Sequence, residues 1–273
     1  MPGLEGKIIF ITGATRGIGR EIALTCARGG AGIVVTGKTS VPHPTLPGTI
    51  AGVAREIADA GGRALPLLLD VRDEGAIARA IGDALNHFGR LDVLVNNASA
   101  ISLTGTLATP VKRFDLMLAV NARATFAVSQ ACIPHLKKSA NPHILNLSPP
   151  INLDPKWFQS HVAYTLSKYG MSFCTLGMAA EFAPDGIAVN SLWPKTTIAT
   201  AAVEVHFPEE VLRGSRKPAI MADAAYVILN RDARTCTGNF FIDENVLREE
   251  GISDFAQYAL NPGAALYPDL FLD

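Results

Sequence analysis

Tyr164 and Lys168 stand four residues apart in Tyr164-Thr165-Leu166-Ser167-Lys168. The apolar spacing over His161–Phe182 predicts a helix there, and i to i+4 spacing then puts both side chains on one face. A phenol, with a reference pKa of about 10, keeps its proton at neutral pH. An ammonium about 4 Å away contributes about 4 kcal/mol at an effective dielectric of about 20, equivalent to about three pKa units, and desolvation takes back part of it. On this reading Lys168 brings Tyr164 to work as a general acid or base near pH 7 to 8, able to exchange a proton with a substrate oxygen.

A second signal lies upstream, where the apolar run Lys7–Thr12 leads into Thr12-Gly13-Ala14-Thr15-Arg16-Gly17-Ile18-Gly19-Arg20. Glycines there let the backbone turn tightly and approach a pyrophosphate, while the free amides and positive dipole end of the following helix favour the anion. A strand before the loop and a helix after it are the context of a dinucleotide site, although the spacing is G-x-x-x-G-x-G and not G-x-G-x-x-G. Thr15, Arg16 and Ile18 share the loop and are expected to touch the cofactor with Gly13, Gly17 and Gly19. A carboxylate ending the second strand would grip the ribose diol of NAD, yet no Asp or Glu occurs between Glu21 and Glu56. Thr36-Gly37-Lys38-Thr39 stands at that place, and Lys38 with Arg16 would pair with a 2′-phosphate, which favours NADP(H) over NAD(H). Asp70-Val71, ending the third strand, would meet the adenine, and Asp70 could equally cap the next helix.

Apolar runs alternate with helix-period segments along the chain, the pattern of β-α-β units feeding a parallel sheet. Strands are expected at Lys7–Thr12, Gly32–Thr36, Ala64–Leu69, Leu91–Asn96, His143–Ser148, Ile187–Leu192 and Asn239–Ile242, with little alternation because both faces are buried. Helices are expected at Gly17–Arg28, Ile50–Ala60, Asp73–Phe88, Val111–Lys137, His161–Phe182 and Ala222–Leu229. Together they define an α/β fold: one doubly wound, Rossmann-type domain over 1–273, with seven parallel strands and helices on both faces. Thr39–Thr49, with Pro42, Pro44 and Pro47, reads as a loop, as does Pro149–Ser160. A polar, proline-bearing tail follows over 244–273.

The composition narrows the function. With 273 residues, 48% hydrophobic and 18% charged, the chain can bury a large core, and disorder is excluded. A formal charge of −1 without any block of like charge gives no support to a nucleic-acid or acidic-membrane surface and leaves a small-molecule partner. No apolar run reaches the roughly 18 residues of a spanning helix, and Met1–Lys7 lacks the features of a signal peptide, so the expected location is the cytoplasm. Cys26, Cys132, Cys174 and Cys236 are isolated and the six histidines scattered, so neither a disulfide frame nor a metal site is expected.

Taken together, Thr12–Gly19, Asn96-Asn97-Ala98-Ser99 and Tyr164…Lys168 resemble the glycine loop, the N-N-A-G turn and the Y-x-x-x-K pair of the short-chain dehydrogenase/reductases. Within that family, Asn146-Leu147-Ser148-Pro149-Pro150, Trp193-Pro194-Lys195-Thr196 and Gly238–Glu244 resemble the hydroxysteroid dehydrogenase-like protein 2 group, whose larger members carry a sterol-carrier domain that this chain is expected to lack. The resemblance implies hydride transfer between a nicotinamide and a carbonyl or alcohol, with Tyr164, Lys168, Ser148 and Asn121 as the catalytic set. It further implies that Asn96 steadies the fourth strand, that Asn97 joins the cofactor contacts, and that Lys168 bonds the nicotinamide ribose. Asn121 would hold a water linking the lysine to solvent. Ser148, 16 residues before Tyr164 instead of about 13 and followed by Pro149, would polarise the substrate oxygen. Pro194 and Thr196 would approach the nicotinamide, with Thr196 or Thr197 fixing its carboxamide. Lys195, where the family shows glycine, would bind a phosphate or the substrate. Trp157, Phe158 and Phe207 offer an apolar wall suited to an acyl, terpenoid or steroid-like substrate. A homodimer or homotetramer is implied, with the last helix and Phe255–Asp273 as contacts. A non-catalytic NADP-binding regulator and a sugar-nucleotide epimerase are the rival readings.

Overall fold

The computed structural model describes residues 3–42 and 47–273. Of the Thr39–Thr49 loop, residues 43–46, Pro44 among them, therefore lie outside the described residues. Seven strands form: β1 Ile8–Ile11, β2 Gly32–Gly37, β3 Arg63–Leu68, β4 Val93–Asn96, β5 His143–Asn146, β6 Ala188–Trp193 and β7 Phe240–Ile242. All pair in parallel, in the order β3-β2-β1-β4-β5-β6-β7. Every expected strand is present within a few residues of its expected bounds; β1, β2, β4, β5 and β6 are buried along their whole length, as apolar runs covered on both sides should be, whereas the edge strand β3 alternates between exposed and half-buried residues and β7 is half-buried.

Neighbouring residues of one strand serve opposite cores. Ile9 and Ile11 pack with α1 (Gly17–Arg28), α2 (Ile50–Asp59) and α9 (Ala219–Asn230), whereas Ile8 and Phe10 pack with α3 (Glu74–Phe88), α5 (Ala124–Leu136) and α6 (Val162–Phe182). Three layers result. After β3 the chain crosses to the other side of β1 to lay down β4, so the connections of β1 and β4 leave in opposite directions and open a crevice at the strands' carboxyl ends.

The expected Val111–Lys137 helix is interrupted. It consists of α4 (Val111–Met117), a π-helical stretch at Leu118–Arg123 and α5, and the wide turn places Asn121 fully inside. By length and composition Val111–Leu136 could cross a membrane, contrary to the expectation from single runs, but Val128, Cys132 and Leu136 are buried against the sheet. Short helices α7 (Ala201–His206) and α8 (Glu209–Arg213) rise beyond β6. The supposed polar tail begins instead with α10 (Asp243–Glu249), whose Asp243, Glu244, Val246 and Leu247 are buried. Its later part, 267–273, returns to the carboxyl end of the sheet.

Candidate active site

A cavity of about 670 Å³ occupies the crevice and draws its walls from the ends of β1, β2, β4 and β6 and from the residues just beyond β3 and β5. At one end lies the glycine loop. Gly13 has φ +67, a conformation that favours glycine, and a Cβ on Gly19 would stand 2.7 Å from the Gly13 carbonyl oxygen, so helix α1 can sit this close only without a side chain there. Asn97 Nδ2 donates to the carbonyls of Thr12 and Gly13, both at 2.9 Å, and locks the loop from β4. No side chain caps the first turn of α1, which leaves its amides free for an anion. Gly13, Thr15, Arg16, Gly17 and Ile18 all line the cavity.

The adenosine end is more heavily charged than expected. Lys38 Nζ lies 3.4 Å from Asp70 Oδ2, and Arg72 NH2 approaches the same oxygen at 2.6 Å. Hydrogen bonds from Arg72 hold the Asp70 carboxyl well below the usual range, with Lys38 adding to the effect. Lys38, Asp70 and Val71 line the cavity, and the cap of α3 is Asp73, not Asp70. Arg16 lines the same cavity as Lys38. Its NH2 donates to Thr39 Oγ1 at 3.1 Å and its Nε to the Pro47 carbonyl at 3.0 Å. Arg72 escaped the sequence reading, although an arginine two residues after an end-of-strand Asp is a usable signal.

At the reacting end α6 brings Tyr164 and Lys168 together, buried on one face and open to the cavity. Lys168 Nζ donates to the Leu147 carbonyl at 2.6 Å and stands 5.0 Å from the centre of the Trp193 ring. Burial pushes the Tyr164 phenol up, and Asp269 adds to the rise. The same burial pulls Lys168 down to about 7, with Asp269 opposing it, so desolvation is the largest influence on both groups.

Several other expected site residues stand elsewhere than the cavity wall. Ser148 Oγ bonds Ser191 Oγ at 2.8 Å inside the sheet and does not line the cavity, because Leu147 takes the outward position and the next residue points the other way. It belongs to a buried network running through Ser191, Thr175, Asn146 and Asn96 to Ser129. That network is how Asn96 steadies β4. Lys195 turns away from the cavity to Glu244 Oε1 at 2.8 Å, beside Arg248 and Arg216. Burial pushes the Glu244 carboxyl up, and the hydrogen bonds from these three cations outweigh it and hold it at about 2. Thr196 is buried with its hydroxyl unpartnered and off the cavity wall, whereas Pro194 and Thr197 line it. Asn121 spends its side chain on Ala100 N (2.7 Å), Ala100 O (2.9 Å) and Ser167 Oγ (2.9 Å), clamping the loop after β4 to α6. Phe207 lines the cavity, and Trp157 and Phe158 instead pack in the aromatic cluster behind Tyr164.

The short chain dehydrogenase family model matches residues 7–210. Hydroxysteroid dehydrogenase-like protein 2 of Danio rerio is 58% identical over 270 residues, covering 99% of this chain and 65% of the relative. The Homo sapiens protein of that name is 57% identical, and here the chain spans 64% of the relative's length. Among solved structures, a candidate dehydrogenase from Xanthomonas campestris aligns with a TM-score of 0.96 at 51% identity, covering 99% of each chain. A short chain dehydrogenase from Mycobacterium thermoresistibile aligns at 0.93 and 50%, covering 99% of this chain and 96% of the other.

Proposed function

Because the chain belongs to the short-chain dehydrogenase family of NAD(P)-dependent oxidoreductases, we propose that it moves a hydride reversibly between NADP(H) and an apolar carbonyl or alcohol substrate. The observation that carries this reading is one cavity that joins Gly13, Gly17 and Lys38 at one end to Tyr164 and Lys168 at the other. The residues fit a dinucleotide: the uncapped α1 amides would take the pyrophosphate, and Lys38, beside an Asp70 already neutralised by Arg72, would take a 2′-phosphate. When bound, that group supplies the hydride at its nicotinamide C4 and, oxidised, a positive charge that favours phenolate.

Tyr164 gives its proton to the substrate oxygen in reduction and takes one back in oxidation. Lys168, steadied by the Leu147 carbonyl, would stabilise the phenolate that remains and would hold the nicotinamide ribose. Asn97 keeps the glycine loop rigid, and Asn121 fixes the loop that frames Tyr164. Ile101, Leu147 and Leu270 exclude water and supply an apolar wall, and the relatives named hydroxysteroid dehydrogenase-like support trying steroid ketones first. Four free thiols are consistent with work in a reducing compartment such as the cytoplasm. Exposed Phe126 on α5 and Leu166, Phe173 and Leu176 on α6 support pairing with a second copy through this helical layer.

Mixing the protein with NADPH and a panel of aldehydes and steroid ketones tests the reading. Loss of absorbance at the reduced nicotinamide band, faster with NADPH than with NADH, is expected. Firm NADPH binding without turnover across the panel would favour the second reading, a cofactor-binding regulator on the same fold. One observation favours that alternative, the Ser148 hydroxyl turned away from the cavity.

A further inference from the structure

The 267–273 segment carries a carboxyl group to the reacting end of the cavity. Thr197 N donates to the Tyr267 carbonyl at 2.9 Å, Asp269 N to the Lys195 carbonyl at 3.2 Å, and Trp193 Nε1 to the Leu270 carbonyl at 2.9 Å. Phe271, 1% exposed, is seated among the rings of Trp157, His161, Tyr164, Tyr169 and Trp193, and Asp273 is held by Lys156 and Asn152. The segment is therefore a strap fixed on both sides of Asp269.

Asp269 lines the cavity with Tyr164 and Lys168. Its Oδ1 accepts from Leu270 N at 2.7 Å, while Oδ2 has no protein partner among the described residues. Lys168 from α6, Tyr164 beside it and Asp243 from the start of α10 are the titratable groups whose charges act around it. Burial lifts its carboxyl to about 7, Asp243 adds to the rise and Lys168 opposes it. Lys38 and Lys168 are the lysines that line the cavity, and Lys38 is at the far, adenosine end. An anionic substrate entering beside Tyr164 would thus meet a like charge whose neighbouring ammonium among the described residues, that of Lys168, is already engaged with the Leu147 carbonyl.

We propose that Asp269 selects the substrate: its carboxylate turns away molecules that carry a carboxylate beside the reacting carbon and takes uncharged ones whose amide or hydroxyl donates a hydrogen bond to Oδ2. The proposal deepens the functional reading above and rests on it for the identity of the cavity.

Binding of hexanamide and of hexanoate to the NADP⁺-loaded chain tests it, followed by the fluorescence of Trp157 and Trp193, both packed beside the strap. Near pH 8 the Asp269 carboxyl is charged, and the amide is expected to bind at least about tenfold more tightly than the isosteric acid. Asp269→Asn should erase that preference and Asp269→Glu should keep it, with an NADPH titration showing that each variant is folded. Equal affinities in the unaltered protein, or a preference that Asp269→Asn leaves intact, overturn the proposal. Turnover is not read, so a failure of every carbonyl to oxidise NADPH would remove hydride transfer while the amide preference stood.

Discussion

Lys168 sits where its charge is costly, and that cost is visible in pH dependence. The unfolded chain keeps this proton up to about its ordinary 10.5, whereas the folded protein releases it near 7. Between those values the unfolded state binds more protons, so stability from this group rises with pH across the window. Lys168→Met removes the titration. The melting temperature of the cofactor-free protein, measured relative to that variant, should therefore climb from pH 7 toward pH 10, and a flat difference would contradict the burial argument. At the other end of the cavity, Lys38→Glu replaces the expected partner of a 2′-phosphate with a repelling charge. NADPH affinity should fall by about tenfold to a hundredfold, in line with one charge-assisted hydrogen bond, and NADH affinity far less. Equal losses in a fluorescence titration would count against the preference for NADP(H).

At the scale of elements, the legible parts were those with a repeating physical cause. Ile8–Ile11 and Val93–Asn96 read as strands because both faces are buried, and Gly13 and Gly19 read as a cradle because only glycine fits those places. Illegible parts depend on contacts between segments far apart in sequence. Nothing in Asn146-Leu147-Ser148 says that Leu147 faces the cavity and Ser148 faces Ser191, since a shift of one residue exchanges the two faces. Lys195 stood in a family position that invites a ligand, and its actual partner Glu244 lies 49 residues on. The strap has no periodicity at all: Phe271 adopts φ +73, a conformation costing an ordinary residue about 1–2 kcal/mol, and holds it because its ring is enclosed. Phe271→Ala should destabilise the protein by about 3–5 kcal/mol, since alanine keeps the Cβ and with it the strain, as read from urea unfolding. A loss below about 1 kcal/mol would mean that the strap is not seated as described.

For the molecule as a whole, the reversal of chain direction at β1 and β4 explains why chemistry gathers at one edge. Strand ends that are distant in sequence, at Gly13, Lys38, Asn97 and Trp193, converge there without any dedicated scaffold. The opposite side of α5 and α6 leaves Phe126, Phe173 and Leu176 about half exposed, at 51%, 54% and 54%. Such a stripe on a helical layer is expected to be covered by another copy. Phe173→Glu should give a monomer in light scattering where the unaltered protein, on the proposed pairing, gives a larger particle, with NADPH binding intact, and an equal mass for the two would overturn pairing through this layer.

The most direct test of the account is single-turnover oxidation of bound NADPH by a carbonyl substrate in the unaltered protein and in Tyr164→Phe. The variant should bind NADPH with nearly unchanged affinity, because the glycine loop and Lys38 are untouched, and should lose at least about a hundredfold in rate with the proton donor gone. A Tyr164→Phe variant that turns over as fast as the unaltered protein would contradict it.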